Sequence, residues 1–307
     1  MKNYLGCVPV QRGVKAVALI STCLLVALPA KPVGAAELKA EYRFNNNLTS
    51  SVPGAPALVP VDPLGQNAFN SDTVNGSAQT VYTWGGNATP VTDQAGFTLD
   101  TTGLVATNSY SVQMVFKLTQ REAAWRRLVD VENRQSDDGF YVDPGNHLAV
   151  YPIISSVTPF TNNVYEDVLL TVDGGVVTAY LNGEQQFSGT SALMNINLNN
   201  QGNTLGFFID NVAAGGQGEF SNGSIALLRL YSGVASPSPS LFILPTTTNS
   251  VVVYWPSPST GWKLQYNTNL ATTNWTAYTD PISDNGITRS VVVTPPSGSK
   301  FFRLSNP

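Results

Sequence analysis

The 307-residue chain is sparsely charged: 12% of its residues are Asp, Glu, Lys or Arg, and its formal net charge is −4, against a charged fraction of roughly 25% in ordinary soluble proteins. A mildly acidic chain of this kind is a poor partner for nucleic acid or anionic membranes, which reward clustered cations. With one histidine and two cysteines, it also lacks a donor set for zinc.

The N-terminus reads as a processing signal. Lys2, Arg12 and Lys15 precede the short apolar segment AVALISTCLLVALPA (16–30), and the small residues VGAA follow. That order is the pattern of a secretory signal peptide, cleaved after Ala35 or Ala36. The apolar segment is shorter than the roughly 20 residues a spanning helix needs. An uncleaved anchor is therefore the weaker reading, and no membrane span is expected in the mature chain. Residues 1–36 are assigned to the signal, which predicts bacterial export to a secreted, cell-surface or periplasmic location. Cys7 and Cys23 both lie within it, so the mature chain is expected to hold no disulfide. Its removal takes away Lys2, Arg12, Lys15 and Lys31 and no acid, moving the net charge from −4 to −8.

From there the chain reads as all-β. LKAEYRF (38–44) is the opening strand, followed by a polar, Pro- and Gly-rich excursion through Gly86. SYSVQMVFKL (109–118) is the clearest strand, with Tyr110, Val112, Met114 and Phe116 on one face. RRLVDVEN, GFYVD and HLAVYP follow as shorter strands. LLTVDGGVVTAYLNGEQQFSG (169–189) supplies three more, turned at Asp173-Gly174 and Asn182-Gly183, dipeptides that tolerate the positive φ of tight hairpins. Val177, Ala179 and Leu181 share its core face. NTLGFFID and GSIALLRLYSG complete the set. Short antiparallel strands separated by turn residues predict a two-sheet sandwich of jelly-roll type over 37–235. ASPSPS (235–240) breaks the pattern, so 236–240 is a Ser/Pro linker. Residues 241–307 form a second, small β module, with Trp255, Trp262, Trp275, Phe301 and Phe302 as its expected aromatic core.

Four stretches carry a family resemblance. YRFNNNLTSS, LVDVENRQSDDGFYVDPGNHLAVYP, VLLTVDGGVVTAYLNGEQQFSG and LGFFIDNVAAGGQGEFSNGSIALLRLYSGVAS, in that order, resemble the laminin-G-like, concanavalin A-like lectin/glucanase jelly rolls of secreted bacterial proteins. The resemblance implies two stacked antiparallel sheets that bind carbohydrate or protein, sometimes through calcium. It implies no activity, because lectins, adhesion modules and glycanases share the fold. The tail, GWKLQYNTNL…NWTAY…KFFRLSNP, is similar to a short fibronectin-III-like module.

Three sets of residues are candidates for chemistry. Asp130 and Glu132 share a face of VDVEN and are the candidate pair for glycoside hydrolysis, but Asn133-Arg134 follows and the third acid of the glycanase pattern is missing. His147 stands alone and reads as a turn residue. Calcium asks only for oxygens, and the resemblance sets Asp137, Asp138, Asp210, Asn211 and Glu219 at corresponding positions of the family pattern. The competing reading of DDG is turn chemistry. Trp84, Trp125, Tyr141 and Tyr151 lie near strand ends, where rings can pack on sugar C–H groups, although core packing is the usual fate of such residues. The favoured function is an exported, non-enzymatic binding or adhesion module for carbohydrate or an extracellular or cell-surface polymer. The alternatives are a secreted glycanase using Asp130 and Glu132, and a structural component of a cell surface or biofilm matrix.

Overall fold

The computed structural model describes residues 36–87, 93–119, 123–213, 218–237, 239, 241–247, 250–257, 259, 262–272, 274–285, 288–294 and 299–305. All but the last residue of the expected signal lies outside them, as do two residues of the Ser/Pro linker. Among the described residues no helix is long and apolar enough to cross a membrane.

The first strands are β1 (Glu37–Tyr42), β2 (Val59–Val61), β3 (Ala68–Val74), β4 (Ser77–Trp84) and β5 (Gly96–Asp100). The middle ones are β6 (Ser109–Leu118), β7 (Arg126–Asp130), β8 (Gly139–Val142), β9 (His147–Tyr151) and β10 (Ile154–Pro159). Next come β11 (Glu166–Asp173), β12 (Val176–Leu181), β13 (Glu184–Thr190), β14 (Thr204–Phe207) and β15 (Gly223–Ser232). One antiparallel sheet runs β13-β12-β11-β6-β15-β4-β3, with β1 also on β15; the other runs β10-β9-β8-β7-β14-β5-β2. The expected jelly-roll class is what the chain forms.

The period-two pattern explains the layers. Tyr110, Val112, Met114, Phe116 and Leu118 of β6 are fully buried, and they join Leu128, Phe140, Val150, Phe207 and Leu228 in one continuous core. Each large apolar side chain so buried contributes about 1.5–3 kcal/mol. Asn182 and Gly183 turn β12 into β13 with φ of 52° and 87°. The other predicted turn is shifted by one residue. Asp173 pairs with Val176 as the last rung, and Gly174 and Gly175 take the positive φ values.

The excursion through Gly86 is not a loop throughout. It contains β2 and the β3–β4 hairpin, whose turn is Asn75-Gly76 with both φ positive. The apolar alternation that marks a strand is weak because β3 is an edge strand, exposed over much of its length.

The tail contains β16 (Phe242–Pro245), β17 (Val251–Pro256), β18 (Lys263–Asn267), β19 (Thr276–Ala277), β20 (Ser283–Asp284), β21 (Thr288–Val293) and β22 (Phe301–Ser305). They form two antiparallel sheets, β16-β17-β21-β20 and β19-β18-β22. Val253, Trp255, Leu264, Val291 and Val293 make a separate small core against which Phe302 and Leu304 pack. Of the five aromatics expected there, Trp255 is fully buried and Phe302 joins it; Trp262, Trp275 and Phe301 stay half-buried.

One close approach ties the first sheet together. A Cβ on Gly223 would stand 2.2 Å from the Lys117 carbonyl oxygen and 2.8 Å from the Trp84 ring, at the rung where β15 meets both β6 and β4. Gly223→Ala should therefore cost about 3 kcal/mol, read as a lower urea midpoint at unchanged slope. A midpoint equal to wild type would show that this junction yields without cost.

Candidate functional site

The most concentrated chemistry sits on the outer face of β7 and β8, turned away from the core. Arg127 and Tyr141 are direct partners across these strands, and both are fully buried although neither belongs to the main core. Beside them stand Asp210, which follows β14 just beyond Phe208 (φ +63°), and Glu219, whose carbonyl accepts a bond from the Arg127 amide at 2.7 Å.

The Arg127 guanidinium is the centre of the arrangement. Its Nη1 donates to Asp130 Oδ1 at 2.8 Å and to the Ser136 carbonyl at 3.0 Å. Its Nε lies 3.3 Å from Asp210 Oδ1 and its Nη2 lies 3.7 Å from Asp137 Oδ1. Nη2 also donates to the Tyr141 hydroxyl, which in turn donates to the Asp137 carbonyl at 2.8 Å. Asp210 is held from the other side by the amides of Gly218 and Glu219, at 2.8 and 2.9 Å on Oδ2. Its own amide donates to the fully buried Gln94 at 2.9 Å.

Three of the five expected calcium donors come together. Carboxylate oxygens of Asp137, Asp210 and Glu219 all lie within 4.8 Å of one another, a spread compatible with ligation at Ca–O distances of about 2.3–2.6 Å. The other two do not join as oxygen donors. Asp138 is tied to the Ser136 hydroxyl at 2.9 Å. Asn211 turns its amide NH2 toward Asp137 Oδ1 at 3.1 Å, a donor where a metal ligand must be an acceptor.

Charge in this cluster is not balanced by protein groups. The carboxylates of Asp130, Asp137, Asp210 and Glu219 face the guanidinium groups of Arg127 and Arg134. When all are ionised, two negative charges remain. Burial, with Asp210 and Asp137 adding repulsion, pushes the Glu219 carboxyl up to about 7. Burial also raises Asp137 and Asp130, against the pull of Arg127. A hard divalent cation fits this donor set and this charge deficit.

The four expected aromatics divide. Trp84 is a core residue: it is 1% exposed, stacks on Phe208 at 3.9 Å and donates its indole N–H to the Ser221 carbonyl. It offers no surface to a ligand. Trp125, Tyr141 and Tyr151 instead meet edge to face, with ring centroids 5.4 to 6.3 Å apart. Tyr141 is the buried member, and its ring face is spent on Arg127 at 4.9 Å. Trp125 is half-buried and Tyr151 is 37% exposed, so these two rings form the accessible part. Concavities of about 220 and 160 Å³ lie elsewhere, around Arg43 and Asn45, and hold none of these groups.

The expected catalytic pair is not presented to solvent. Asp130 is fully buried between Arg127 and the Arg134 amide. Glu132 is 1% exposed and turns to the Asn199 amide at 3.2 Å. The two acids have different partners, and neither reaches the surface where a glycosidic bond would lie. His147 opens β9 half-buried, its Nδ1 3.4 Å from Asp143.

Of two residues central to the site, Arg127 is read in the sequence only as one of three arginines, with Arg126 and Arg134, that could hold the Asp130 and Glu132 carboxylates, and Gln94 is not singled out. The signal for Arg127 was there: two adjacent arginines at the head of the apolar strand RRLVDV demand buried anionic partners. Gln94 carried no such signal.

The family model of the concanavalin A-like lectin/glucanases superfamily matches residues 91–239. No curated protein matches the chain. Among solved structures, it is similar to domain 4 of AbnA, an extracellular arabinanase from Geobacillus stearothermophilus, solved with arabinotriose, at 21% identity and a TM-score of 0.47, covering 66% of this chain and 96% of that one. The CBM40 of the Ruminococcus gnavus IT-sialidase, bound to α2,3 sialyllactose, is similar at 16% identity and a TM-score of 0.36, covering 43% of this chain and 79% of that one. The binding domain of botulinum neurotoxin serotype D is similar at 10% identity and a TM-score of 0.42, covering 86% and 80%. Over residues 91–239 the chain is similar to the concanavalin A-like lectin/glucanases superfamily.

Proposed function

We propose that this protein is an exported, non-enzymatic carbohydrate-binding module whose glycan packs on Trp125 and Tyr151 at the surface of the second sheet. The division into a signal over 1–36, a sandwich over 37–235, a linker over 236–240 and a small module over 241–307 is part of the same reading. The observation that carries it is the position of Tyr141. Its ring supports Trp125 and Tyr151, and its hydroxyl bonds Arg127 and the Asp137 carbonyl within the carboxylate cluster. Partly exposed rings give a sugar apolar faces to stack on, and the adjoining polar loops supply hydrogen bonds that fix its orientation. The match of residues 91–239 to a superfamily named for lectins as well as glucanases supports binding. Burial of Asp130 and Glu132 speaks against hydrolysis by that pair.

Calcium is the counter-ion this donor set favours, with Asp137, Asp210 and Glu219 as its side-chain donors. Bound there, it would supply the positive charge that Arg127 and Arg134 leave wanting. The protein's part is to hold the DDG turn, Asp210 and Glu219 against one another, which keeps the turn beside Tyr141 in one shape.

Three outcomes are expected. On a glycan array, Trp125→Ala and Tyr151→Ala should each weaken the strongest signal about tenfold while leaving the melting temperature near wild type; undiminished signal in both variants would remove the proposed surface. Calcium at about millimolar concentration should raise the melting temperature near neutral pH, EDTA should reverse the rise, and Glu219→Gln should abolish it. Absence of any shift in the wild type would sink the metal reading alone. In EDTA, a carboxyl whose folded value is about 7 instead of 4.5 binds its proton more tightly when folded. Its stabilising contribution is thus complete below the unfolded value and is lost as the pH climbs through 7. The metal-free melting temperature should fall between about pH 5 and pH 8, with Asp137 acting in the same direction. Glu219→Gln should flatten most of that fall, and a wild-type profile already flat would contradict the assignment.

A further inference from the structure

The tail module carries a charge pattern opposite to that of the rest of the chain. Residues 241–307 hold Lys263, Arg289, Lys300 and Arg303 against only Asp280 and Asp284, whereas residues 37–240 hold eighteen acids and eight cations. In that acidic region Lys39, Arg43, Lys117, Arg127 and Arg229 each meet a carboxylate. In the tail, Arg289 pairs with Asp284. Among the described residues, Lys263, Lys300 and Arg303 have no carboxylate partner.

Arg303 is nonetheless held in place. It lies on β22 opposite Gln265 of β18. Its Nε donates to Gln265 Oε1 at 2.8 Å, and its guanidinium lies over the Trp275 ring at 4.4 Å. These two contacts fix the plane of the group and leave its terminal nitrogens toward solvent, since the residue is exposed. A fixed guanidinium edge is the shape that pairs with a carboxylate or sulfate through two parallel bonds. Strand alternation and register put Lys263, Gln265, Arg303 and Phe301 on the same face, with Lys263 opposite Ser305 and two rungs from Arg303, its diagonal neighbour. Leu264, Phe302 and Leu304 take the opposite face and pack in the core.

We propose that this face of β18 and β22 is an anion-binding surface for an acidic polysaccharide, separate from the Trp125–Tyr151 surface. Arg303 binds a carboxylate or sulfate group through its free edge, and Lys263 supplies a second charge along the polymer. Trp275 and Phe301, both half-buried beside these cations, offer apolar surface to sugar C–H groups. That combination fits a charged glycan better than an acidic peptide.

The test is affinity electrophoresis of the full chain in gels containing polygalacturonate, dextran sulfate or neutral dextran. Retardation is expected in at least one anionic gel and not in dextran, and it should fade with added salt. Retardation by polygalacturonate alone identifies uronates as the ligand, by dextran sulfate alone sulfates, and by both a surface that reads charge in general. Lys263→Gln with Arg303→Gln should weaken the retarding interaction about tenfold at an unchanged melting temperature. Arg303→Lys should weaken it as well, because it keeps the charge and loses the fork. Trp125→Ala should leave it intact, which separates this surface from the glycan site proposed above. The proposal is overturned if neither anionic polymer retards the wild type, or if the double variant is retarded equally. It is also overturned if sedimentation shows that the double variant instead breaks an oligomer, since the face would then be a contact between copies of this chain.

Discussion

A guanidinium with no exposed surface must be neutralised where it stands, and Arg127 imposes that requirement on everything around it. Leaving an ion of this kind uncompensated in the interior costs several kcal/mol. The chain answers from four places. Asp130 comes from the same strand, Asp137 and the Ser136 carbonyl from the following turn, Tyr141 from the paired strand, and Asp210 from a loop more than eighty positions later. The DDG turn and the residues around Asp210 are thereby pinned to the sheet. Removing one partner would leave the charge exposed to an apolar neighbourhood while the others stay put. Such clusters therefore hold a loop in one arrangement more than they add net stability.

The neutralisation overshoots. Asp137 and Glu219 lie at the rim of the cluster, half-buried, and both carboxyls are pushed upward by burial and by their acidic neighbours. An excess of negative charge near a partly open surface is relieved by a proton or by a cation, and the choice between them depends on pH and on the supply of the metal. The same geometry that stabilises the loop thus makes its shape sensitive to what it can bind.

Much of this was legible in the sequence, for identifiable reasons. Strands with one buried face announce themselves by alternation, so β6, β11, β12 and β15 were readable. β3 was not, because an edge strand wet on both faces loses its pattern, even though Asn75-Gly76 marked its hairpin. Acidic residues at turns were legible as metal candidates, and Asp137, Asp210 and Glu219 do converge. Asp138 and Asn211 differ from them only in which way a side chain turns, and that is decided by Ser136 and by Asp137 itself. Trp84 and Trp125 look alike in sequence, each beside a strand end. They part because Trp84 is the last residue of β4 on its core face, with Phe208 to stack on, whereas Trp125 precedes β7 and packs on the outer rings.

The two stacked arginines of this chain show how surroundings assign a role to one residue type. Arg127 lies over Tyr141 and Arg303 lies over Trp275, at centroid distances of 4.9 and 4.4 Å, so the ring orients the guanidinium plane in both cases. Arg127 is sealed, and its free edge is consumed by carboxylates of its own chain. Arg303 is exposed in a module where cations outnumber acids, and its edge meets none. Dispersal of acids would have given each cation a neighbour in a chain with twenty acids and sixteen cations. Their concentration around Arg127, and their scarcity around Arg303, leaves an anionic rim on the sandwich and a cationic face on the tail. A chain built this way presents two electrostatically opposite surfaces, one suited to a cation-dependent ligand and the other to an acidic polymer.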